Sequence, residues 1–372
     1  MTSDADAADE PVFRSRPIQL VVFVIGTTVC WLIVLGAALY FTALHFTTPA
    51  WAGLITDLLH ADERGAYFAR RSQLMALTSF VALCLGGAIL SLSSLYDRLW
   101  VGFALLFLLA GIARSFSARS LTQVIDVPIR HHDAAQHGFI NFLRRHTSPD
   151  FRHFLAFSGL IHMAALISGP FFVIYMLHDL QFSYWVYGAW LAAAIAGQYM
   201  TLPGWGQFSD RFGNKALLTV TGLIVSVLPM FYLVSTAWPF LLALNFFGGV
   251  IWAGLSLGLS NYVFDVVRPA DRPKAVAVSS TVNAIGWAIG TLVGSWLIAT
   301  VPNHLRVGAL EIHPASNLPF IFFISGVLRL LIAVTLLGTF HEPRAVERRA
   351  PAGLIRELPL LKQLSRWVPR GP

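Results

Sequence analysis

Long apolar runs constrain the fold of this chain more than any other feature of its sequence. Clear examples are residues 72–95, 216–235 and 318–340. The hydrocarbon core of a bilayer is about 30 Å thick and takes about 20 apolar residues per helix. Only 12% of the 372 residues are charged, roughly half the share that is usual in soluble domains. The sequence therefore predicts an all-α, polytopic membrane protein and excludes a water-soluble globule.

The distribution of basic residues predicts ten membrane spans. Six apolar runs follow residue 153, and residues 72–95 and 99–121 make two more. The unbroken stretch 18–59 would be about 63 Å long as one helix, near twice the bilayer core, so we expect two spans there. With that count, 22 of the 26 basic residues lie on one side. Membrane proteins carry such an excess at their cytoplasmic ends, so both termini are expected to be cytoplasmic.

The net charge of +7 follows from this bias. No soluble domain presents a basic surface, so no nucleic-acid partner is expected. Cys30 and Cys84 both lie in apolar runs, and no ligand spacing indicates a metal. The sequence also lacks an H-E-x-x-H motif and a nucleophile with a matching base. We therefore expect neither an integral-membrane enzyme nor a cofactor.

An internal repeat relates the two halves of the chain. Asp57 and Arg64 close one span with a spacing of seven residues, and Asp265 and Arg272 do the same 208 residues later. In both copies a small residue then recurs at every fourth position, which lets helices pack closely in lipid. In the second copy these residues are Gly286, Gly290 and Gly294. Such parallel repeats are typical of transporters built from two helix bundles.

The repeat also predicts the domain organisation. Four helices fall in the first half and six in the second, so the first half is expected to lack about two helices at its start. The basic, amphipathic C-terminal segment is expected to lie on anionic membrane lipid. The expected segments are a disordered cytoplasmic tail (1–16), an incomplete N-terminal bundle (17–122), a cytoplasmic linker (123–151), a complete six-helix C-terminal bundle (152–341) and the amphipathic cytoplasmic tail (342–372).

A glycine-rich loop motif precedes the third span of the second half. It reads G-x-x-x-D-R-x-G-x-K and consists of Gly206, Asp210, Arg211, Gly213 and Lys215. The motif is similar to the loop between the second and third helices of each half in the major facilitator superfamily, and the chain resembles a bacterial branch of unassigned substrate over roughly residues 17–340. This resemblance implies a pseudo-symmetric two-bundle fold in the bacterial inner membrane. It also implies secondary active transport of a small solute by alternating access.

The motif has an expected physical role at the cytoplasmic face. Gly206 and Gly213 would permit a tight turn, and Arg211 or Lys215 would meet Asp265 where helix ends converge. Such a pair is a candidate latch that breaks and reforms during transport. The alternative is a static surface ion pair, worth about 0–1 kcal/mol. The candidate gate residues are Gly206, Asp210, Arg211, Gly213, Lys215, Asp265, Arg272, Asp57 and Arg64.

Two histidines are the ionisable candidates for a central cavity. His45 and His162 lie deep in spans, where an ionisable group is a functional candidate by default, and histidine titrates near neutral pH. Protons are therefore a second candidate partner besides the small-molecule substrate. The alternative is a neutral histidine bonded to neighbouring backbone. Further cavity candidates are Tyr175, Asn245, Trp252, Asn261 and Asn283.

Two arginines also lie inside spans. Arg114 and Arg329 occupy the same position in the two halves of the repeat, which favours a structural role over substrate binding.

Two functional hypotheses remain open from the sequence. The first is a secondary transporter, and the absence of a G-x-x-x-x-G-K-[ST] motif from the sequence indicates that ATP does not drive it. The second is a truncated, transport-incompetent remnant, or a chain whose start was assigned too late. Two further apolar spans encoded upstream of Met1 would favour the complete transporter.

Overall fold

The computed structural model describes residues 23–43, 61–123, 148–268, 271–301, 305–307, 310–312 and 316–347. Within these ranges nearly all of the backbone is helical. The nine long helices of the described residues are α1 (Phe23–Ala43), α2 (Ala61–Leu95), α3 (Leu99–Leu121), α4 (Pro149–Ser168), α5 (Tyr184–Phe212), α6 (Asn214–Val227), α7 (Trp238–Val266), α8 (Arg272–Thr300) and α9 (Leu318–Leu336).

The all-α polytopic membrane fold is confirmed. In the part of the chain that the structure describes, eight helical segments are long and apolar enough to cross a membrane. α5 is the long helix outside that set, although its 29 residues give about 43 Å of helix at 1.5 Å per residue. One span predicted within residues 18–59 corresponds to α1, and the second lies outside the described residues.

One helix of the bundle begins with a serine cap, and two helices continue into short turns of other helical types. Ser148 caps α4 by accepting a hydrogen bond from the backbone N–H of Phe151, with Pro149 in the first turn, as is common at helix starts. After Gly169 the same span continues as a short helical turn, Phe171–Ile174, and a π turn, Tyr175–Asp179. α6 likewise runs on into a 3-10 turn, Leu228–Leu233.

A short β-hairpin follows α8. The strands β1 (Leu305–Val307) and β2 (Leu310–Ile312) pair antiparallel, with Leu305 opposite Ile312. The sequence analysis did not predict these strands, because each has only three residues and no alternating pattern long enough to recognise. They leave the fold class unchanged.

The described residues fall into two compact units. One contains residues 23–43 and 61–68, and the other contains residues 69–123 together with the described residues from 148 onward. Within the larger unit, α5 packs on α7, α8 on α4, and α9 on α4 and α6. The C-terminal six-helix bundle of α4–α9 holds the buried core, which includes Trp205 and Tyr262. The domain boundaries predicted from the repeat stay predictions.

Glycines bring α4 and α8 into backbone contact. A Cβ atom added to any of three glycines on α8, one turn apart, would run into a main-chain carbonyl oxygen of α4. Close approach through small residues is the expected way for helices to associate in lipid, where no hydrophobic effect drives them together. The contacts are Gly286 on Gly159, Gly290 on Met163 and Gly294 on Ile167.

Candidate functional site

A cavity of about 360 Å³ opens among the helices of the C-terminal bundle. Its volume falls in the range of about 300–1,000 Å³ that is usual for small-molecule sites. The wall is mostly apolar, with aliphatic and aromatic side chains and a few polar groups, which is the typical composition of such sites. The residues used below are His162 of α4, Trp190 of α5, Asn245 and Trp252 of α7, Trp287 of α8 and Arg329 of α9.

His162 lies close to two tryptophan rings in the cavity wall. The ring centroids of Trp252 and Trp287 are 6.2 Å and 5.9 Å from that of the histidine. Its Nδ1 lies 2.8 Å from the carbonyl oxygen of Ser158, one helical turn earlier. The neutral ring therefore carries its proton on Nδ1 and donates to that carbonyl. This contact matches the backbone-bonded alternative, and Nε2 has no hydrogen bond among the described residues.

Asn245 ties the cavity wall to a neighbouring helix. Its Nδ2 donates to the carbonyl oxygen of Trp190 across 2.7 Å. One amide hydrogen is thus used to join α7 to α5, and the side chain remains at the cavity.

Arg329 lines the cavity, although the sequence analysis favoured a structural role for it over substrate binding. Its guanidinium donates to the carbonyl oxygens of Val225 and Ala165 and to Oγ of Ser168. These bonds join α9 to α6 and α4, so a structural role is present. Arg329 also lines the cavity, and its repeat position alone could not reveal that. Arg114, its counterpart in the repeat, is exposed on α3.

Three other predicted cavity residues, which the structure describes, are not among those that line it. Tyr175 is buried in the core, with its ring centroid 5.4 Å from that of Phe322. Asn283 accepts a hydrogen bond from Ser158 Oγ at 2.8 Å. Asn261 lies on α7 away from the lining set, and His45 lies outside the described residues.

A second polar site occupies one end of the same bundle, where α5 ends and α6 begins. We call it the helix-end cluster and define it as Ser209, Asn214, Asp265, Glu342 and Arg344. Asn214 is 1% exposed and bridges the group, because it accepts from Ser209 Oγ at 2.6 Å and donates to Asp265 Oδ2 at 2.7 Å.

Arg344 crosses from the segment after α9 onto this cluster. Its Nε lies 3.2 Å from Asp265 Oδ2 and 3.2 Å from Glu342 Oε1, and its Nη2 donates to the carbonyl oxygen of Ser209. Glu342 in turn accepts from the backbone N–H of Lys215 at 2.8 Å. One arginine and one glutamate thereby connect the ends of α5, α6 and α7.

The basic residues of the loop motif take other partners than the one expected. Among the described residues Asp265 contacts Asn214 and Arg344, whereas Arg211 pairs with Glu347, Nε to Oε2 at 2.8 Å. The Lys215 ammonium lies 3.6 Å from the centroid of the Phe340 ring. The expected acid–base contact at Asp265 is present, but its base comes from Arg344, which lies outside the motif.

Gly213 is the motif glycine whose backbone requires a glycine. Its φ of +89° lies in a region that other residues rarely adopt, and an added Cβ would meet the Glu342 carboxylate. Gly206 sits inside α5 with nothing within 4 Å of an added Cβ. The expected tight turn therefore belongs to Gly213 alone.

The remaining gate candidates have other surroundings or lie outside the described residues. Asp210 is exposed, and Arg272 donates to the carbonyl oxygen of Phe264 at 3.1 Å. Asp57 and the side chain of Arg64 lie outside the part of the chain that the structure describes.

Comparison with known proteins supports a transporter family. Over 168 residues the chain is 26% identical to Multidrug resistance protein 1 of Bacillus subtilis (strain 168). The aligned segment covers 45% of this chain and 39% of that protein. Over 182 residues it is 25% identical to Multidrug resistance protein 2 of the same organism, covering 49% of this chain and 42% of that protein. The matched segments thus span about two fifths of each relative. No solved structure gives a significant match.

The family model described as Major Facilitator Superfamily matches residues 154–368. This match takes in the cavity, the loop motif and the helix-end cluster, and it covers more than half of the chain. The chain therefore belongs to the major facilitator superfamily.

Proposed function

We propose that the chain is a secondary transporter that binds a small organic solute in the cavity of its C-terminal bundle. The observation that carries this proposal is the cavity itself, which is lined by three tryptophans, a histidine and an arginine from five helices, four of which are long and apolar enough to span a membrane. A site near the middle of the membrane is what alternating access requires, since both sides must reach it in turn. Membership of a transporter superfamily supports the same conclusion and argues against an enzyme.

The chemistry of the wall favours a solute with an apolar, ring-containing body. Flat aromatic side chains present large apolar faces, and Trp190, Trp252 and Trp287 lie on three different helices around the same space. The two relatives are named for multidrug resistance. We extend that function to this chain as part of the proposal.

The helix-end cluster is proposed as a latch on the cytoplasmic side. Asp265, Asn214 and Arg344 join the ends of α6 and α7 to the segment after α9, and in this proposal the contacts loosen when the solute leaves on that side. In this proposal both termini are cytoplasmic, the membrane is the bacterial inner membrane, and the two bundles are residues 17–122 and 152–341. The bias of 22 basic residues toward one side supports that orientation.

Proton coupling through His162 is a further part of the proposal. The histidine touches the cavity and leaves Nε2 without a described partner, so a proton taken up there would alter the charge of the solute site. His162→Gln keeps a hydrogen-bonding side chain and removes the titration. Uptake by that variant is expected to lose its dependence on a pH gradient, and an unchanged dependence would remove His162 from the mechanism.

Transport is tested with purified full-length chain in liposomes. A panel of aromatic and aliphatic solutes is supplied with and without a pH gradient, and uptake of labelled solute is measured. Trp287→Ala removes a cavity wall and is expected to lower uptake strongly. Trp296→Ala is the matched control, because Trp296 lies on the same helix, is 63% exposed and is not part of the lining. Absence of uptake across the panel, or equal loss in both variants, would contradict the proposal.

The latch is tested by accessibility. Asp265→Asn breaks the contact to Arg344, whereas Asp210→Asn changes an exposed carboxylate of the loop motif. A cysteine introduced at a cavity position is expected to react faster with a cytoplasmic-side reagent in the first variant than in the second. Equal rates in both variants and in the parent would show a static ion pair.

A further inference from the structure

Arg329 is a buried charge at the cavity that its protein surroundings do not neutralise. It lies eleven residues after the start of α9, or about 16 Å along the helix at 1.5 Å per residue, which is near the middle of a span. The residue is 5% exposed. A charged side chain at this depth is costly and normally pairs with another group.

The hydrogen bonds of Arg329 leave part of its capacity unused. A guanidinium has five N–H donors. One bond runs from Nη1 to Val225 at 3.2 Å, and two run from Nη2, to Ala165 at 3.3 Å and to Ser168 at 2.9 Å. Nε is buried and has no partner. Three of five donors are therefore satisfied within the described residues.

The partners of Arg329 are all uncharged. Two are backbone carbonyls and one is a hydroxyl, so they orient the guanidinium without cancelling its charge. Ser168 is itself held by Ser325, Oγ to Oγ at 3.1 Å, and Ser325 donates to the carbonyl oxygen of Ala164. The charge is thus fixed in place at the cavity, and no described carboxylate forms an ion pair with it.

A fixed, uncancelled positive charge decides between two classes of ligand. An aromatic cavity alone would suit an organic cation, because cations are attracted to tryptophan faces. A cation in the same cavity would be repelled by Arg329 through a medium of low dielectric constant, where charge interactions are strong. An anion would instead supply the missing counter-charge and accept charge-assisted hydrogen bonds.

We propose that the cavity selects amphiphilic organic anions, with one acidic group next to Arg329 and an apolar ring against Trp252 and Trp287. This inference rests on the cavity being the solute site of the proposed function and names the substrate class for it. Arg329 is then both the clamp that joins α4, α6 and α9 and the group that recognises the anion. Asn245 and His162 belong to the same lining and offer further polar groups to the solute.

The test compares three probes that share a naphthalene ring and differ in charge. These are 2-naphthoate, 2-naphthamide and 2-naphthylmethylamine, the last as its ammonium form. Binding to the purified full chain in detergent is measured by equilibrium dialysis. Naphthoate is expected to bind about 10- to 100-fold more tightly than the amide, the range that a hydrogen bond to a charged group provides, and the amine is expected to bind most weakly. Equal affinities, or tightest binding of the amine, would overturn the proposal.

Variants locate the preference. Arg329→Gln is expected to bring naphthoate to the affinity of the amide, and Arg329→Lys is expected to retain much of the preference. If Arg329→Gln fails to fold, the comparison of the three probes on the parent chain still decides the question. Trp287→Ala is expected to weaken all three probes alike, and unchanged binding in it would place the probes outside the cavity and overturn the proposal.

The binding test is independent of transport. If liposomes show no uptake but naphthoate is preferred in detergent, the proposed function fails and the anion site stands. If liposomes show uptake of neutral or cationic solutes and naphthoate is not preferred, transport stands and the anion site is overturned.

Discussion

At the scale of single residues, the gate candidates predicted from the sequence differ in what they contact. Gly213 makes the turn between α5 and α6 at a φ of +89°, while Gly206 is an ordinary helical residue with open space around it. Asp265 Oδ2 contacts both Asn214 and Arg344, whereas Asp210 is exposed. Residues that look equivalent in a sequence pattern therefore differ in what they hold together.

The two glycines give a matched prediction. Gly213→Ala is expected to lower the free energy of unfolding by about 1–3 kcal/mol, the cost of forcing a side chain into a glycine-only backbone region, and its Cβ would also displace Glu342. Gly206→Ala is expected to be neutral or to stabilise the protein by up to about 1 kcal/mol, since alanine is the better helix former. Thermal unfolding of the two purified variants measures the difference. A larger loss in Gly206→Ala would contradict this account.

The sequence predicted some of these residue roles and could not predict others. Depth in an apolar run predicted His162 as a cavity candidate, and the internal repeat predicted Asp265 as a gate candidate. The partner of Asp265 could not be predicted in the same way, because Arg344 lies 79 residues away in the predicted cytoplasmic tail and no sequence spacing links the two residues. The cavity role of Arg329 depends on which face of α9 turns inward, and a helix that is apolar on nearly all sides gives no periodic signal for that.

At the scale of helices, small residues determine which pairs pack most closely. Three glycines of α8 meet carbonyls of α4, and Gly197 of α5 and Gly249 of α7 similarly meet backbone of the facing helix. The three contacts of α8 occur at the four-residue spacing that the sequence of this helix shows. The spacing predicts that a helix packs closely, but it does not name the partner, because any helix backbone can fill such a groove.

Enlarging one of these glycines should disrupt the α4–α8 contact. Gly290→Leu would place a side chain against the Met163 carbonyl and is expected to destabilise the protein by about 1–3 kcal/mol or more, as overpacking does. Ala288→Leu, two residues earlier on an exposed face of the same helix, is expected to change stability by less than about 0.5 kcal/mol. The thermal midpoints of the two variants in detergent provide the measurement. Similar midpoints would show that the contact adds nothing to stability.

At the scale of the whole molecule, the described C-terminal bundle contains its own core, its own cavity and its own end cluster. The main cluster of buried hydrophobic side chains extends from Phe151 at the start of α4 to Phe340 after α9. Both of these side chains are essentially fully buried. The segment after α9 returns to the ends of α5 to α7 through Glu342 and Arg344. Because of these long-range contacts, we expect the bundle to fold as a unit.

Residues 148–347 are accordingly expected to insert and fold when expressed without the rest of the chain. The measurement is resistance to protease in membranes, compared with a segment of residues 1–123 expressed at the same level. The C-terminal segment is expected to be the more resistant, because its core is buried within itself. Rapid digestion of residues 148–347 together with survival of residues 1–123 would contradict the assignment.

Orientation is a second property of the whole molecule that can be measured. A reporter fused after Thr236, between α6 and α7, is expected to be external, and one fused after Arg349 is expected to be cytoplasmic. Both follow from the bias of basic residues toward one face. A cytoplasmic signal after Thr236 would reverse the proposed topology.

The glycine contacts between α4 and α8 also limit how the bundle can deform. Backbone meets backbone there, so no rotamer at the seam can change to let one helix slide over the other. The two helices are thus expected to move together as one rigid body, which keeps His162 of α4 and Trp287 of α8 at a constant separation. Trp252 lies on α7, outside this rigid body. The cavity would therefore widen and narrow between Trp252 and His162.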